Sequence, residues 1–212
     1  MRLHAVFVPP IEVLEDVLDA AQSIALVQSP PIETRSGLLG RLLGRGTTAA
    51  PPPDTLTLVP SEEGFVRLAR FGNVTPADAQ SLAHALGVAA LTWPVPVVHV
   101  AGLVIDTTVP RPVITAQLGG DTDELLEIFA SFLEVARRQS FFLDRRSFRP
   151  EFTVAHVDLP DDPSLRERIV LDAQDHRGPD WQAKRISMVR VSVDPNSQSF
   201  EEIASVPVGG AD

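Results

Sequence analysis

The stretch that decides the fold is Ser147-Phe148-Arg149-Pro150-Glu151-Phe152-Thr153-Val154-Ala155-His156. Arginine and proline interrupt the chain, and a run of residues typical of a β-strand follows them. Because side chains alternate along a strand, Glu151, Thr153 and Ala155 are predicted to share one face, with the two residues between them on the other. The stretch therefore sets a carboxylate beside a hydroxyl. This pair could bind a small polar ligand, but on the residues alone a half-buried strand with a polar outer face is the interpretation we prefer.

Strand-like and helix-like patterns alternate outward from this stretch. The apolar run from Leu3 to Val8 predicts a central strand, and an amphipathic helix follows it. Thr75-Pro76-Ala77-Asp78 is typical of a helix start, with Thr75 as the N-cap, and Gly87 is predicted to end that helix. A third helix is predicted to begin at Asp121 or Thr122, and its buried apolar stripe is predicted to consist of Leu125, Ile128, Phe129, Phe132 and Ala136.

Several further segments are predicted from turn residues and β-branched runs. They are strands near 56–60, 65–71, 94–105, 112–118, 185–193 and 200–206, and a short helix from Asp162. Neighbouring strands are joined by short turns, which favours antiparallel or mixed sheets with helices outside. The fold class predicted is therefore α+β rather than a doubly wound parallel sheet.

Residues 30–54 differ in composition from the rest of the chain. Prolines stand at both ends of this segment, and glycines alternate with leucine and arginine between them. Since glycine weakens helices by about 1 kcal/mol relative to alanine, we predict a flexible insertion loop in a single domain spanning 1–212. A docking arm at Gly37 to Gly46 that touches a partner or a membrane is the alternative.

Composition limits the partners of this protein. The 212 residues carry a formal net charge of −10, which disfavours non-specific binding to nucleic acid. Cysteine is absent and the five histidines lack ligand spacing, so we expect neither a metal nor a cofactor. No run of residues is long enough for a membrane span or a signal peptide, and we expect a cytoplasmic monomer.

Two segments resemble the signature motifs of one family. The first runs from Phe65 to Gly72, Phe-Val-Arg-Leu-Ala-Arg-Phe-Gly, and the second is the stretch 146–156. In these segments the chain resembles the 2H phosphoesterase superfamily, in particular the bacterial 2′-5′ RNA ligase or RNA 2′,3′-cyclic phosphodiesterase (LigT-like) group. The resemblance covers nearly all of the chain outside the insertion. It implies a two-lobed fold of duplicated β-α-β units, whose sheets line a central cleft.

The same resemblance shows where the chain departs from the family. Each family motif is His-x-Thr, and its two histidines serve as general base and general acid on a phosphodiester. Here Phe65 and Arg67 occupy the first motif, and Glu151 and Thr153 occupy the second. Phenylalanine carries no proton, and losing one positioned acid or base typically costs roughly 10²–10⁴ in rate. The resemblance therefore implies a catalytically inactive protein that binds a small phosphate-bearing ligand or a protein partner.

A phosphodiesterase with a remodelled site is the alternative function. A remodelled phosphodiesterase would use Arg67 to hold the phosphate, Glu151 to carry the proton and Thr153 to donate a hydrogen bond. His4 and His99, on strands near the expected cleft, are further candidate ligand-binding residues, and His156 is another histidine of this kind. Because an unpaired buried charge is costly, a salt bridge between Arg67 and Glu151 is the arrangement we predict. Nucleic acid is implied as a partner only by the family resemblance.

Overall fold

A computed structural model describes residues 1–28, 56–59, 64–143, 148–158, 176–194 and 197–210. In chain order its elements are β1 (Arg2–Phe7), α1 (Ile11–Gln28), β2 (Leu56–Leu58), β3 (Val66–Asn73), α2 (Pro76–Ala90), β4 (Val97–Asp106), β5 (Val113–Gly120), α3 (Thr122–Arg138), β6 (Glu151–Val157), β7 (Trp181–Gln182), β8 (Arg185–Asp194) and β9 (Ser197–Pro207). The insertion at 30–54 and the short helix predicted from Asp162 lie outside the described residues. Within these ranges, no helix combines the length and the apolar character that crossing a membrane requires.

The strands form two sheets, and every strand pair within them is antiparallel. The first sheet has the order β3-β1-β8-β9, and the second has the order β2-β6-β5-β4-β7. The predicted α+β class and the predicted central position of β1 are confirmed, since β1 pairs with β3 on one side and β8 on the other. The strand pairs predicted at β4–β5 and at β8–β9 are also present.

One apolar core connects both sheets with the three helices of the described residues. Leu3, Ala5 and Phe7 of β1 are buried in it, as are Val13 and Val17 of α1. Helix α1 packs on β2, β4 and β6, whereas α2 packs on β9 and on α3. Helices thus cover the outer faces of the sheets, and the opposite faces of β3 and β6 are left for a cleft.

Helix α2 begins as predicted and ends later than predicted. The Thr75 hydroxyl accepts a hydrogen bond from the Asp78 amide (3.2 Å) and donates one to the Asp78 carboxylate (2.6 Å). The predicted end at Gly87 is wrong, because the helix continues to Ala90. Leu86 and Ala90 are fully buried, so packing of the last turn overrides the weak helix propensity of glycine.

Helix α3 follows the predicted pattern closely. Asp121 is the N-cap residue, and its carboxylate accepts a hydrogen bond from the Val97 amide (3.0 Å) instead of capping the helix. The predicted apolar stripe is buried in full: Leu125, Ile128, Phe129, Phe132 and Ala136. The 3.6-residue repeat was therefore sufficient to identify the inward face.

We predict opposite effects of the same substitution at two glycines. A Cβ atom would meet nothing within 4 Å at Gly87 or at Gly72, so space does not distinguish them. Gly87 lies within a helix, and Gly87→Ala should raise the free energy of unfolding by about 0.5–1 kcal/mol. Gly72 has a φ of 67°, which disfavours any residue with a Cβ atom. Gly72→Ala should therefore lower the free energy of unfolding by about 1–2 kcal/mol. Urea unfolding of both variants measures these changes. Equal changes in the free energy of unfolding would contradict the backbone conformations assigned to the two glycines.

Candidate functional site

A cleft of about 610 Å³ opens between β3 of the first sheet and β5 and β6 of the second. Its polar lining consists of Arg67, Arg70, Thr115, Arg149, Glu151, Thr153 and His156, and Phe65, Leu143 and Phe152 are among its apolar residues. Among the described lining residues, three arginines face one glutamate, so the lining carries two net positive charges when His156 is neutral. The described part of the lining is therefore basic, in a protein whose net charge is −10.

An extra residue in β3 brings two arginines to this cleft. Strict alternation would place Arg67 and Ala69 on one face and Arg70 on the other. In its pairing with β1, however, β3 has an irregularity that leaves Leu68 as an additional residue. The alternation is reset there, so Arg67 and Arg70 both line the cleft, whereas Ala69, which also borders the cleft, is buried in the core.

A similar irregularity in β6 changes the predicted face of that strand. Glu151 and Thr153 line the cleft on the predicted side. The prediction for Ala155 is wrong, because this residue is fully buried in the core. Val154 is the additional residue in the pairing of β6 with β5, and the resulting shift of alternation brings His156 to the cleft.

Phe65, at the first motif-histidine position, is part of a small apolar cluster. It is only 6% exposed and packs with Val6 and Val189. Its ring lies edge-on to that of Phe200, with centroids 5.3 Å apart. The Arg67 guanidinium carbon lies 5.3 Å from the Phe65 ring centroid. Where the family motif has a histidine, this chain therefore has an apolar ring, and the Arg67 guanidinium lies beside it.

Glu151, at the second motif-histidine position, forms an ion pair that we did not predict. Its carboxylate lies 3.8 Å from the Arg149 guanidinium. Among the ion pairs of the described residues, the predicted one between Arg67 and Glu151 does not occur. Arg149 and Glu151 are two residues apart and line the same wall of the cleft. Their ion pair therefore does not bridge the two walls. The Arg149 side chain is 74% exposed, which makes this pair a weak constraint.

The structure separates the candidate histidines. His156 lines the cleft, and its Nδ1 atom is buried without a hydrogen-bond partner among the described residues. His4 pairs in register with Arg70 on the neighbouring strand, outside the lining of the cleft. His99 is also outside the lining: its Nδ1 lies 3.3 Å from Asp180, and its ring packs close to Gly119.

Burial and neighbouring positive charge are reflected in the pKa of His4. Burial first, and then the nearby charges of Arg67, Arg70 and Arg2, lower the pKa of this imidazole to about 4. The imidazole is therefore neutral at physiological pH.

The chemistry of this lining is that of anion binding. Each guanidinium presents planar donors that can contact two phosphate oxygens, and the Thr153 hydroxyl adds a weaker donor, while that of Thr115 donates to the Val104 carbonyl (3.2 Å). Glu151 is an acceptor when ionised, so it would interact with a hydroxyl of a ligand rather than with its phosphate. Within the described part of the chain, no group of three or more His, Asp and Glu residues is arranged to hold a metal.

Sequence reasoning singled out part of this lining and missed the rest. Arg67, Glu151 and Thr153 were predicted, and the structure brings all three to one cleft. Arg70 and Arg149 lie within the two segments that resemble the family motifs but were not singled out there, and Thr115 had no distinguishing signal. His156 was noted as a histidine near the cleft, but simple alternation would have placed it on the opposite face from Glu151.

Comparisons with known proteins identify the fold. No family model matches the sequence, and no curated protein matches it. Solved structures nevertheless match over nearly the whole chain. The structure of TT0787 from Thermus thermophilus has a TM-score of 0.56 at 17% identity and covers 100% of both chains.

Two further solved structures carry descriptions of their chemistry. E. coli LigT complexed with 3′-AMP has a TM-score of 0.64 at 12% identity, covering 98% of this chain and 97% of its own. A structure described as a phosphoesterase has a TM-score of 0.60 at 13% identity, with the same coverage. The chain therefore has the LigT-like fold, as its resemblance to the 2H phosphoesterases implied.

The lowered pKa of His4 predicts how stability changes with pH. The unfolded chain binds a proton at His4 below pH 6.5, whereas the folded chain binds it only below about pH 4. His4 therefore destabilises the folded state as pH falls from 6.5 to 4. Between pH 6.5 and pH 4, His4 should lower the free energy of unfolding of wild type by on the order of 2 kcal/mol, after allowance for partial solvent screening. His4→Gln should not show this part of the loss.

Urea unfolding at several pH values checks this prediction. His84→Gln, which removes an exposed imidazole from α2, is the matched control. Parallel stability curves for wild type and His4→Gln between pH 7 and pH 4 would contradict the lowered pKa.

Proposed function

We propose that this chain binds a small phosphate-bearing ligand in its arginine-lined cleft and lacks the acid–base chemistry of the 2H phosphoesterases. The observation that carries the proposal is the convergence of Arg67, Arg70 and Arg149 on one cleft of an otherwise acidic protein. Guanidinium groups are the side chains best suited to phosphate oxygens. LigT, which shares the fold, has been solved with 3′-AMP, ATP, NADP+ and phosphate, all of which carry phosphate.

The absence of catalysis is proposed from the two motif-histidine positions. Phe65 has no titratable group, and it is packed against Phe200. A general base and a general acid are both needed to cleave a phosphodiester through proton transfer, and Phe65 supplies neither. Glu151 is the one residue at these two positions that can carry a proton.

A small ligand suits this cleft better than a polynucleotide does. The volume of about 610 Å³ falls within the range of roughly 300–1,000 Å³ that is usual for small-molecule sites. The net charge of −10 would also repel a long phosphate backbone outside the cleft. A protein partner, the other occupant considered from the sequence, has less support from the lining than a phosphate-bearing small molecule.

A second candidate function is supported by one observation. Arg67, Glu151, Thr153 and His156 line the same cleft, which a remodelled phosphodiesterase requires. In that enzyme Glu151 or His156 would carry the proton, and Arg67 would neutralise the phosphate.

Calorimetric titration with 3′-AMP tests the binding proposal. Wild type should bind, and Arg70→Gln should weaken binding by about tenfold or more because a charge-assisted hydrogen bond is lost. Arg138→Gln, on the exposed end of α3, removes the same charge outside the cleft and should leave the affinity within about twofold. The absence of measurable binding by wild type at millimolar 3′-AMP would refute the proposal.

Glu151→Gln discriminates between the two candidate functions. For a binding protein, this change removes a negative charge beside the anion and releases Arg149, so 3′-AMP affinity should rise about threefold or more. For a phosphodiesterase, the same change should abolish turnover of a 2′,3′-cyclic nucleotide or a 2′-5′ linked dinucleotide. Turnover by wild type that Glu151→Gln removes would establish the second candidate and refute the first.

A further inference from the structure

We propose that His156 holds the proton of its neutral imidazole on Nε2 and uses this N–H group to donate a hydrogen bond to an acceptor atom of the ligand. This inference rests on the proposed function and adds to the same cleft a ligand contact that depends on no arginine.

The two ring nitrogens of His156 have different surroundings. Nδ1 is buried and has no hydrogen-bond partner among the described residues, whereas Nε2 is not one of the buried atoms without a partner. The side chain as a whole is half-buried and lines the cleft. Because Nδ1 is bonded to Cγ, close to the backbone, and Nε2 lies at the far end of the ring, Nε2 is the nitrogen that a ligand in the cleft can reach.

The position of His156 in the sheet accounts for the enclosed Nδ1. His156 pairs with Thr57 of β2 on one side and with Val113 of β5 on the other. Adjacent strands are only about 4.8 Å apart, and the side chains of paired residues share a face, so both neighbours stand beside the base of the imidazole. The Thr57 hydroxyl accepts a hydrogen bond from Arg111 (3.0 Å) and makes none with Nδ1.

These surroundings favour one of the two neutral forms of the ring. A neutral imidazole carries its proton either on Nδ1 or on Nε2. A proton on Nδ1 would bury an N–H group without an acceptor, and orphaned N–H groups are rarer in protein interiors than acceptors with an unused lone pair. A proton on Nε2 instead gives an N–H group that can donate to water or to a ligand. The ring therefore presents a donor to the cleft and keeps its lone pair on the buried side.

This protonation state determines what His156 can do in the cleft. An N–H donor matches an acceptor of the ligand, such as a phosphate oxygen, and the Thr153 hydroxyl in the same lining is a second neutral donor. A general base needs an unprotonated nitrogen that faces the substrate, and here that nitrogen is buried. His156 therefore suits ligand binding, and in a remodelled phosphodiesterase it would not be the general base.

Long-range proton–nitrogen NMR correlation of the imidazole rings tests the protonation state in the free protein at pH 7.5. His156 should show a protonated Nε2 and an unprotonated Nδ1, and its signals are identified by their loss in His156→Gln. His99 is the internal reference, because its Nδ1 lies 3.3 Å from the Asp180 carboxylate and should carry a proton. A protonated Nδ1 in His156 would overturn the inference.

Two amide variants test the contact with the ligand. The side-chain nitrogen of glutamine reaches about as far from the backbone as Nε2, whereas that of asparagine reaches only about as far as Nδ1. In calorimetric titration with 3′-AMP, His156→Gln should keep the affinity within about threefold of wild type, and His156→Asn should weaken it about fivefold or more. His99→Gln, outside the lining of the cleft, is the matched control and should change the affinity by less than about twofold. Equal affinities of the two His156 variants would overturn the inference.

The NMR signals of wild type provide a measurement that needs no variant to bind. On addition of 3′-AMP, the Nε2 signal of His156 should move while Nδ1 stays unprotonated. If wild type binds 3′-AMP and the Nε2 signal does not move, the contact is wrong and phosphate binding stands. If wild type does not bind 3′-AMP, the proposed function itself is wrong, and the contact falls with it.

Discussion

The bulges in β3 and β6 are the constraint on which the cleft depends. A strand without an extra residue alternates strictly, and Arg70 and His156 would then point into the apolar core on which the helices pack. A charged side chain is costly in such a core, so the sequence is compatible with this fold only if the alternation is reset. Leu68 and Val154 provide that reset on the two facing walls. The same local irregularity therefore protects the core and concentrates positive charge at the cleft.

The scaffold of this fold and the lining of its cleft are under different physical constraints. The solved LigT structures share the architecture over nearly the whole chain, at identities near 12%. Keeping an architecture requires apolar residues at inward positions, which many sequences satisfy. The lining has no such requirement, and here it consists mainly of arginines, a carboxylate and hydroxyls beside the buried ring of Phe65. Charge attraction by this cleft needs no proton transfer, and the side chains present suit that role.

The ion pair of Glu151 illustrates a limit of reasoning from motif positions. The sequence placed Arg67 and Glu151 in facing motifs, and the cost of an unpaired buried charge suggested that they meet. Glu151 is instead accessible enough to pair with Arg149 beside it. The arginines on β3 act on another neighbour, since Arg67 and Arg70 both contribute to the lowered pKa of His4. The positive charges of these arginines thus act on an imidazole of the adjacent strand β1, and not only on carboxylates with which they could form ion pairs.

The sequence by itself determined the α+β class, the central strand, the helix starts at Thr75 and Asp121, and the motif positions that form the cleft. The class, the central strand and the helix starts follow from local rules, namely the period of apolar residues, capping chemistry and turn residues, whereas the motif positions came from the resemblance to the 2H phosphoesterases. Tertiary structure decided that α2 continues past Gly87, that Ala155 is buried, and that Arg70 and His156 line the cleft. Those outcomes depend on registers between strands distant in sequence and on packing between elements, and no local pattern contains that information.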